Sequence, residues 1–197
     1  MRLSPVKNII TLAAVVLVTA MAYSEGSDSS VYRVVAYVGG GGSFYVASAG
    51  TPSGMSADVS KFGPAATVRV MWQPDHILGV GLESGWTKLY SYTTSGPEAG
   101  KVYLSQVPMY FVWSMKLWGA LNVMGGYGYS RVNTKLDYAG TVNVGTWSMG
   151  WMAACSYERP VSKKLGVAAE IKWINPIETQ DGAITLQVQL VWNLLEW

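Results

Sequence analysis

From Ala183 to Trp197 the chain reads Ala-Ile-Thr-Leu-Gln-Val-Gln-Leu-Val-Trp-Asn-Leu-Leu-Glu-Trp. Ile184, Leu186, Val188, Leu190, Trp192 and Leu194 share one parity, while Thr185, Gln187, Gln189 and Asn193 share the other. A period of two means a strand with one apolar face. It runs to the last residue, a tryptophan, where the terminus of an ordinary soluble domain frays. Such a strand needs a partner and a reason for its aromatic end. A sheet closed on itself in a membrane supplies both. The last strand pairs with the first, no edge is left, and the tryptophan sits at the membrane–water interface. The competing explanation is an edge strand of a soluble sandwich.

Residues 1–22 combine Arg2 and Lys7, an apolar run from Ile9 to Ala20, and Ala20-Met21-Ala22 as a cleavage site. The run is shorter than the roughly 20 residues a membrane helix needs. Residues 1–22 are therefore expected to be a cleaved signal peptide, residues 23–30 a short polar leader, and residues 31–197 one domain. With no cysteine nearby, a lipid-anchored lipoprotein is not expected. Removing Arg2 and Lys7 from the 14 basic residues leaves 12, against 12 acidic ones. No basic field for nucleic acid remains.

Charged residues make up 13% of the chain, against about 25% in typical soluble proteins. No second apolar run approaches helix-spanning length. A chain this apolar without long apolar runs carries its apolarity in alternation, as a transmembrane β-barrel does. Eight strands are expected, at 31–46, 65–73, 77–90, 102–115, 118–132, 141–157, 164–173 and 183–197. Gly39 to Gly42 would suit a phosphate cradle only ahead of a helix; Phe44-Tyr-Val follows, so a flexible or bulged strand is expected. Pro108 should mark a bulge or an unpaired position. Short turns at 74–75, 116–117 and 159–162 alternate with longer loops at 47–64, 92–100, 133–140 and 175–182. That ordering is the mark of outer-membrane barrels, with turns periplasmic and loops outside. The expected fold is all-β: an eight-stranded antiparallel up-and-down transmembrane β-barrel.

Alternation alone leaves open which face meets lipid, because a lipocalin-like soluble barrel alternates too. The polar parity here is mostly Gly, Ser, Thr, Ala, Asn and Gln, which suits a narrow lumen better than a water-facing exterior. The bulky parity carries aromatics near both strand ends. Trp72, Trp113, Tyr157, Trp192 and Trp197 lie toward the turns; Trp86, Tyr103, Tyr129, Trp147 and Trp173 lie toward the loops. Two aromatic girdles are therefore expected at the two interfaces. Trp197 is out of phase with Leu186 to Trp192, so either a bulge precedes it or the last residues lie beyond the barrel.

Arg33, Arg69, Glu83, Glu170 and Lys172 all fall on the inward parity. A turn centred near His76 sets Arg69 opposite Glu83, as a cross-strand ion pair. Enclosed charges need partners. A gated polar path and a salt-bridged plug both follow from such a network, and the plug suits eight strands, whose interior holds side chains and little else. No catalytic residue, metal ligand or cofactor is expected. His76, the lone histidine, falls in a periplasmic turn, whereas a hydrolase of outer-leaflet lipid needs one near the opposite rim. One His and one Cys (Cys155) cannot build a zinc site, and a single cysteine makes no intrachain disulfide.

The strand count, the turn–loop alternation and segments such as Val80-Gly-Leu-Glu-Ser-Gly-Trp86 and Val123-Met-Gly-Gly-Tyr-Gly-Tyr129 resemble the small outer-membrane barrels of the OmpA/OmpX/OmpW type. The resemblance implies insertion by the barrel assembly machinery, which reads a C-terminal strand ending in an aromatic. The resulting expectation is a non-enzymatic, monomeric barrel in outer-membrane lipid. Its loops at 47–64, 92–100, 133–140 and 175–182 would meet an external ligand or host surface. The alternative is a narrow channel for small or apolar solutes, as in the OmpW group. A lipid-modifying enzyme and a soluble periplasmic barrel are the remaining readings.

Overall fold

The computed structural model describes residues 32–46, 57–74, 77–94, 100–137, 141–177 and 182–197. The expected signal peptide and leader lie outside the described residues, as do His76 and most of the first loop. Among the described residues, nine strands form: β1 (Arg33–Tyr45), β2 (Ala57–Ser60), β3 (Phe62–Gln73), β4 (Leu78–Thr94), β5 (Gly100–Trp118), β6 (Leu121–Asp137), β7 (Thr141–Pro160), β8 (Leu165–Pro176) and β9 (Ala183–Glu196). β2 continues β3 past Lys61 along the same edge of β4, so the two make one stave. β4 pairs with β5 and β1 with β9, which closes eight antiparallel staves into an up-and-down ring.

The ring is staggered. Stepping across the ladders from Gln187 leads one way through Gly41, Ala65 and Thr87 to Gln106. The other way it passes Glu170, Ser156 and Asn122 to Lys116. Both routes end on β5, ten residues apart (106 against 116). That shear tilts the staves by about 40° to the barrel axis.

Alternation decides what each stave turns inward. On β9, Ala183, Thr185, Gln187, Gln189 and Val191 are buried, while Leu186, Val188, Leu190 and Trp192 are exposed on the outer wall. The interior is packed with side chains. Val35, Met71, Val112, Met124, Met152 and Val191 belong to one apolar cluster; Tyr45, Leu89, Leu104, Val132 and Ala183 form a second toward the loop end. Space at the β1–β9 seam is tight, which is why the inward side of β1 carries glycine. A Cβ on Gly41 would stand 2.8 Å from the Gln187 Cα, closer than side chains tolerate. Gly41→Val is expected to lower barrel stability by about 1–3 kcal/mol through overpacking, read as a lower urea midpoint in lipid vesicles. An unchanged midpoint would mean that the seam can spread at no cost.

The structure corrects two expectations and decides between the alternatives left at two further positions. The turn assigned to 116–117 lies at Gly119–Ala120. Leu117 is bulged where β5 meets β6, and the tight connection needs the positive φ (42°) that Gly119 adopts. The staves also run further toward the loop end than expected. β2 and Phe62–Pro64 occupy part of 47–64, β4 reaches Thr94, β6 reaches Asp137 and β8 reaches Pro176. Polar and Gly/Pro-rich stretches read as loops, yet a ladder beyond an apolar medium can keep its hydrogen bonds with polar side chains on both faces. Leu194 bulges out between the Val34 and Val35 pairings, which puts Leu195 opposite Val34. Trp197 thereby regains the outward phase and exchanges two 3.1 Å backbone hydrogen bonds with Tyr32, its ring stacked on that tyrosine. Finally, Pro108 marks an unpaired stretch rather than a bulge. The β4–β5 ladder skips from Ser84–Met109 to Thr87–Gln106, and the Ser84 hydroxyl donates to the Pro108 carbonyl at 2.8 Å.

Candidate functional site

Of the charges expected to face inward, Arg69, Glu83, Glu170 and Lys172 meet at mid-lumen. β3 and β4 pair with Arg69 directly opposite Glu83, and the Arg69 Nε donates to Glu83 Oε2 at 2.7 Å. The Arg69 Nη2 donates to Glu170 Oε2 at 2.5 Å across the lumen. Lys172, two residues along the same face of β8, donates from Nζ to Glu83 Oε1 at 2.6 Å and to the Thr67 hydroxyl at 3.1 Å. Its Nζ also stands 3.0 Å from Glu170 Oε1, an ion pair whose alignment makes no hydrogen bond. The result is a closed cycle, Arg69–Glu83–Lys172–Glu170, in which each charge touches two of opposite sign and the total is zero. All four side chains are about 1% exposed or less.

Residues that the sequence did not single out complete the surroundings. The Arg69 guanidinium lies over the Tyr37 ring, 5.4 Å from its centroid, and Nη1 donates to the Met124 sulfur at 2.7 Å. Parity places Tyr37, Thr67 and Met124 inward; Tyr37 is the direct partner of Arg69 on the β1–β3 ladder, whereas the Arg69–Met124 and Lys172–Thr67 contacts cross the lumen between strands that do not pair. Arg33 does not join the cycle. It faces a separate cavity of about 350 Å³ at the turn end, with Gln73, Lys116, Asn122 and Glu158, and its Nε makes no hydrogen bond. Arg33 is four residues nearer the turns than Tyr37, and the two face the lumen at different heights.

The lumen around the cycle is polar as well, with Gln187 directly opposite Glu170 on the β8–β9 ladder. Gln187 and Gln189 on β9 and Gln106 on β5 are buried, and none of their amide atoms has a hydrogen-bonding partner within the protein.

On the outer wall, Trp72, Trp113, Tyr157, Trp192 and Trp197 are exposed toward the turns, and Tyr129 and Trp147 toward the loops. Trp86, Tyr103 and Trp173 are half-buried there, with the Trp86 and Tyr103 rings stacked at 6.4 Å. On β7, Trp147 and Tyr157 are ten residues apart, which at this tilt is roughly 25 Å along the axis. Between them the outer wall presents Met149, Trp151, Ala153 and the half-buried Cys155.

The model of the outer membrane protein β-barrel domain family matches residues 10–193. No curated protein matches the chain. Among solved structures, Ail of Yersinia pestis in complex with the heparin analogue sucrose octasulfate is similar with a TM-score of 0.50 at 6% identity, covering 81% of this chain and 98% of that one. OprG of Pseudomonas aeruginosa gives 0.47 at 10% identity, covering 85% and 98%. Neisserial surface protein A gives 0.43 at 11% identity, covering 84% and 98%. At such identities the likeness concerns the fold.

Proposed function

The chain belongs to the outer membrane protein β-barrel domain family, and from that premise we propose that it is a closed, non-enzymatic barrel that presents a binding ribbon outside the cell. One observation carries this reading. At the loop end, Asn133–Asp137 of β6 pair with Thr141–Gly145 of β7, and among the described residues β7 meets β8 only from Gly150 onward. The β6–β7 hairpin thus stands out as a ribbon with one unpaired edge, residues 141–147 exposed throughout, Val142, Val144 and Trp147 among them. An exposed edge with apolar side chains invites an added strand or an apolar partner surface. The charged cycle serves this role by filling the lumen and making the wall rigid. The two sets of outer aromatics would fix the barrel's height in the bilayer. Below the ribbon every stave edge is used within the ring, so the closed part of the barrel needs no partner strand and the protein acts as a monomer. β9 would be the segment that the barrel assembly machinery engages.

Replacing residues 134–144 by an Asn-Gly turn tests the reading. Cells of a non-adherent diderm host bearing the intact barrel are expected to be retained on epithelial cells or immobilised matrix proteins. Cells bearing the shortened form are not, while both proteins keep the heat-modifiable gel migration of a folded barrel. Equal retention of both would remove the ribbon from the function.

A narrow channel is the second reading, favoured by the glutamine amides of the lumen, since buried amides without protein partners call for water. Recording in planar bilayers separates the two. The closed barrel is expected to give no steady openings, and a steady unit conductance would establish the channel.

A further inference from the structure

Beyond the ribbon, the outer wall carries a sector unlike the rest. Lys88 of β4, Lys101 of β5, and Arg131 and Lys135 of β6 lie on three adjacent staves. Register ties them to the loop-end aromatics. Arg131 pairs with Trp147, Lys135 pairs with Tyr103, and the Lys88 Nζ stands 5.6 Å from the centroid of the Tyr103 ring. Lys101, Tyr103, Lys135 and Asp137 line an open cleft of about 310 Å³. Among its described lining residues Asp137 is the one carboxylate, and it accepts a hydrogen bond from the Thr141 hydroxyl at 3.2 Å. Lys101, Arg131 and Lys135 are exposed, and none of the four cations forms an ion pair with another described residue. At the same end, β1, β3 and β9 present Phe44, Phe62 and Ile184 instead. The cations therefore mark one side of the barrel.

Height decides what such a sector meets. Arg131 is level with Trp147, and Lys135 is four residues further on, on the order of 10 Å along the axis. Aromatic rings of this kind sit at headgroup level, so the cations begin where the hydrocarbon ends, on the outward side. A protein of this family sits in a bilayer whose outer leaflet is a phosphorylated glycolipid. We propose that Lys88, Lys101, Arg131 and Lys135 form a binding site for the phosphate groups of that outer-leaflet glycolipid. The guanidinium takes a phosphate through paired N–H donors and the ammonium groups act as point charges. The acyl chains lie along the apolar wall below, where Met109, Phe111, Tyr129 and Trp147 are exposed. The proposal does not depend on what the ribbon binds; because Lys135 lies within the replaced segment 134–144, the lipid site is tested by point substitutions that leave the ribbon in place.

The test uses the full-length barrel in detergent and reads the temperature at which its compact gel form is lost. Phosphorylated lipid A is expected to raise that temperature by several degrees. Its dephosphorylated counterpart, with the same acyl chains, is expected to raise it less, and inorganic phosphate not at all. The difference between the two lipids should vanish in the K88Q/R131Q/K135Q variant and persist in a K163Q/K164Q control at the turn end. Equal shifts with both lipids, or an unaltered difference in the triple variant, would overturn the site. Should the triple variant fail to fold, the wild type alone decides. A phosphate-dependent difference must shrink from low to high salt, as exposed charges are screened, and one indifferent to salt would overturn the site as well. A full response to inorganic phosphate would replace the lipid by the free anion.

Discussion

Arg69→Gln and Glu83→Gln are each expected to lower the unfolding free energy of the barrel in lipid by about 3–5 kcal/mol, the cost of leaving an enclosed charge without its partner. The reason lies in the cycle. Arg69→Gln leaves Glu83 and Glu170 sharing Lys172, a surplus of one negative charge. Glu83→Gln leaves Arg69 and Lys172 sharing Glu170, a surplus of one positive charge. All four groups are almost wholly enclosed, so solvent relieves neither surplus. The double variant restores neutrality and keeps Lys172 against Glu170. It is expected to lose clearly less than the sum of the single losses. A double-mutant cycle from urea titrations in lipid vesicles gives that coupling without the absolute contribution of either residue. Strict additivity would mean that the two side chains do not interact in the membrane, and the plugged lumen would go with them.

Leu82→Arg is expected to destabilise the barrel by about 2–4 kcal/mol, the cost of a cation near the bilayer midplane on the outer face of a barrel. Leu82 is 68% exposed, with Val70 and Phe111 as outward partners. It lies four residues from Leu78 at the turn end and four from Trp86 at the loop end. In water this substitution would be nearly free, since an exposed leucine is already solvated. Val142→Arg on the ribbon is the matched control, expected within about 0.5 kcal/mol of wild type. Similar small effects at both positions would mean that the outer wall does not face lipid.

How much of this is legible in the chain depends on the range of the interaction that decides it. Side-chain parity is local. It alone places Arg69, Glu83, Glu170 and Lys172 on one face of their strands, and the short connection from β3 to β4 sets Arg69 against Glu83. That Glu170 and Lys172 complete the cycle is not local. It follows from the stagger that ties Gln106 and Lys116 into one row, and no single strand encodes a ring-wide stagger. Arg33 shows the limit from the other side, sharing the parity of the cycle but not its height. Strand ends were hardest to read. Asn133 to Asp137 look like loop because their side chains are polar, yet the backbone pairing with Thr141 to Gly145 continues where composition changes. The bulge at Leu194 has no local signature either; only the phase error of Trp197 hints at it.

The closing seam between β1 and β9 has a kinetic consequence. Tyr32 and Trp197 are 165 residues apart, and they meet edge to edge through mutual hydrogen bonds. A ladder of such high sequence separation offers its contacts only after the full loop-closure entropy has been met, so it forms slowly and late. Until it forms, β1 and β9 both present raw edges in a chain whose outer parity is greasy. The ring cannot be completed stave by stave during synthesis. The sheet stays open until β9 reaches β1, and only that pairing removes both raw edges at once.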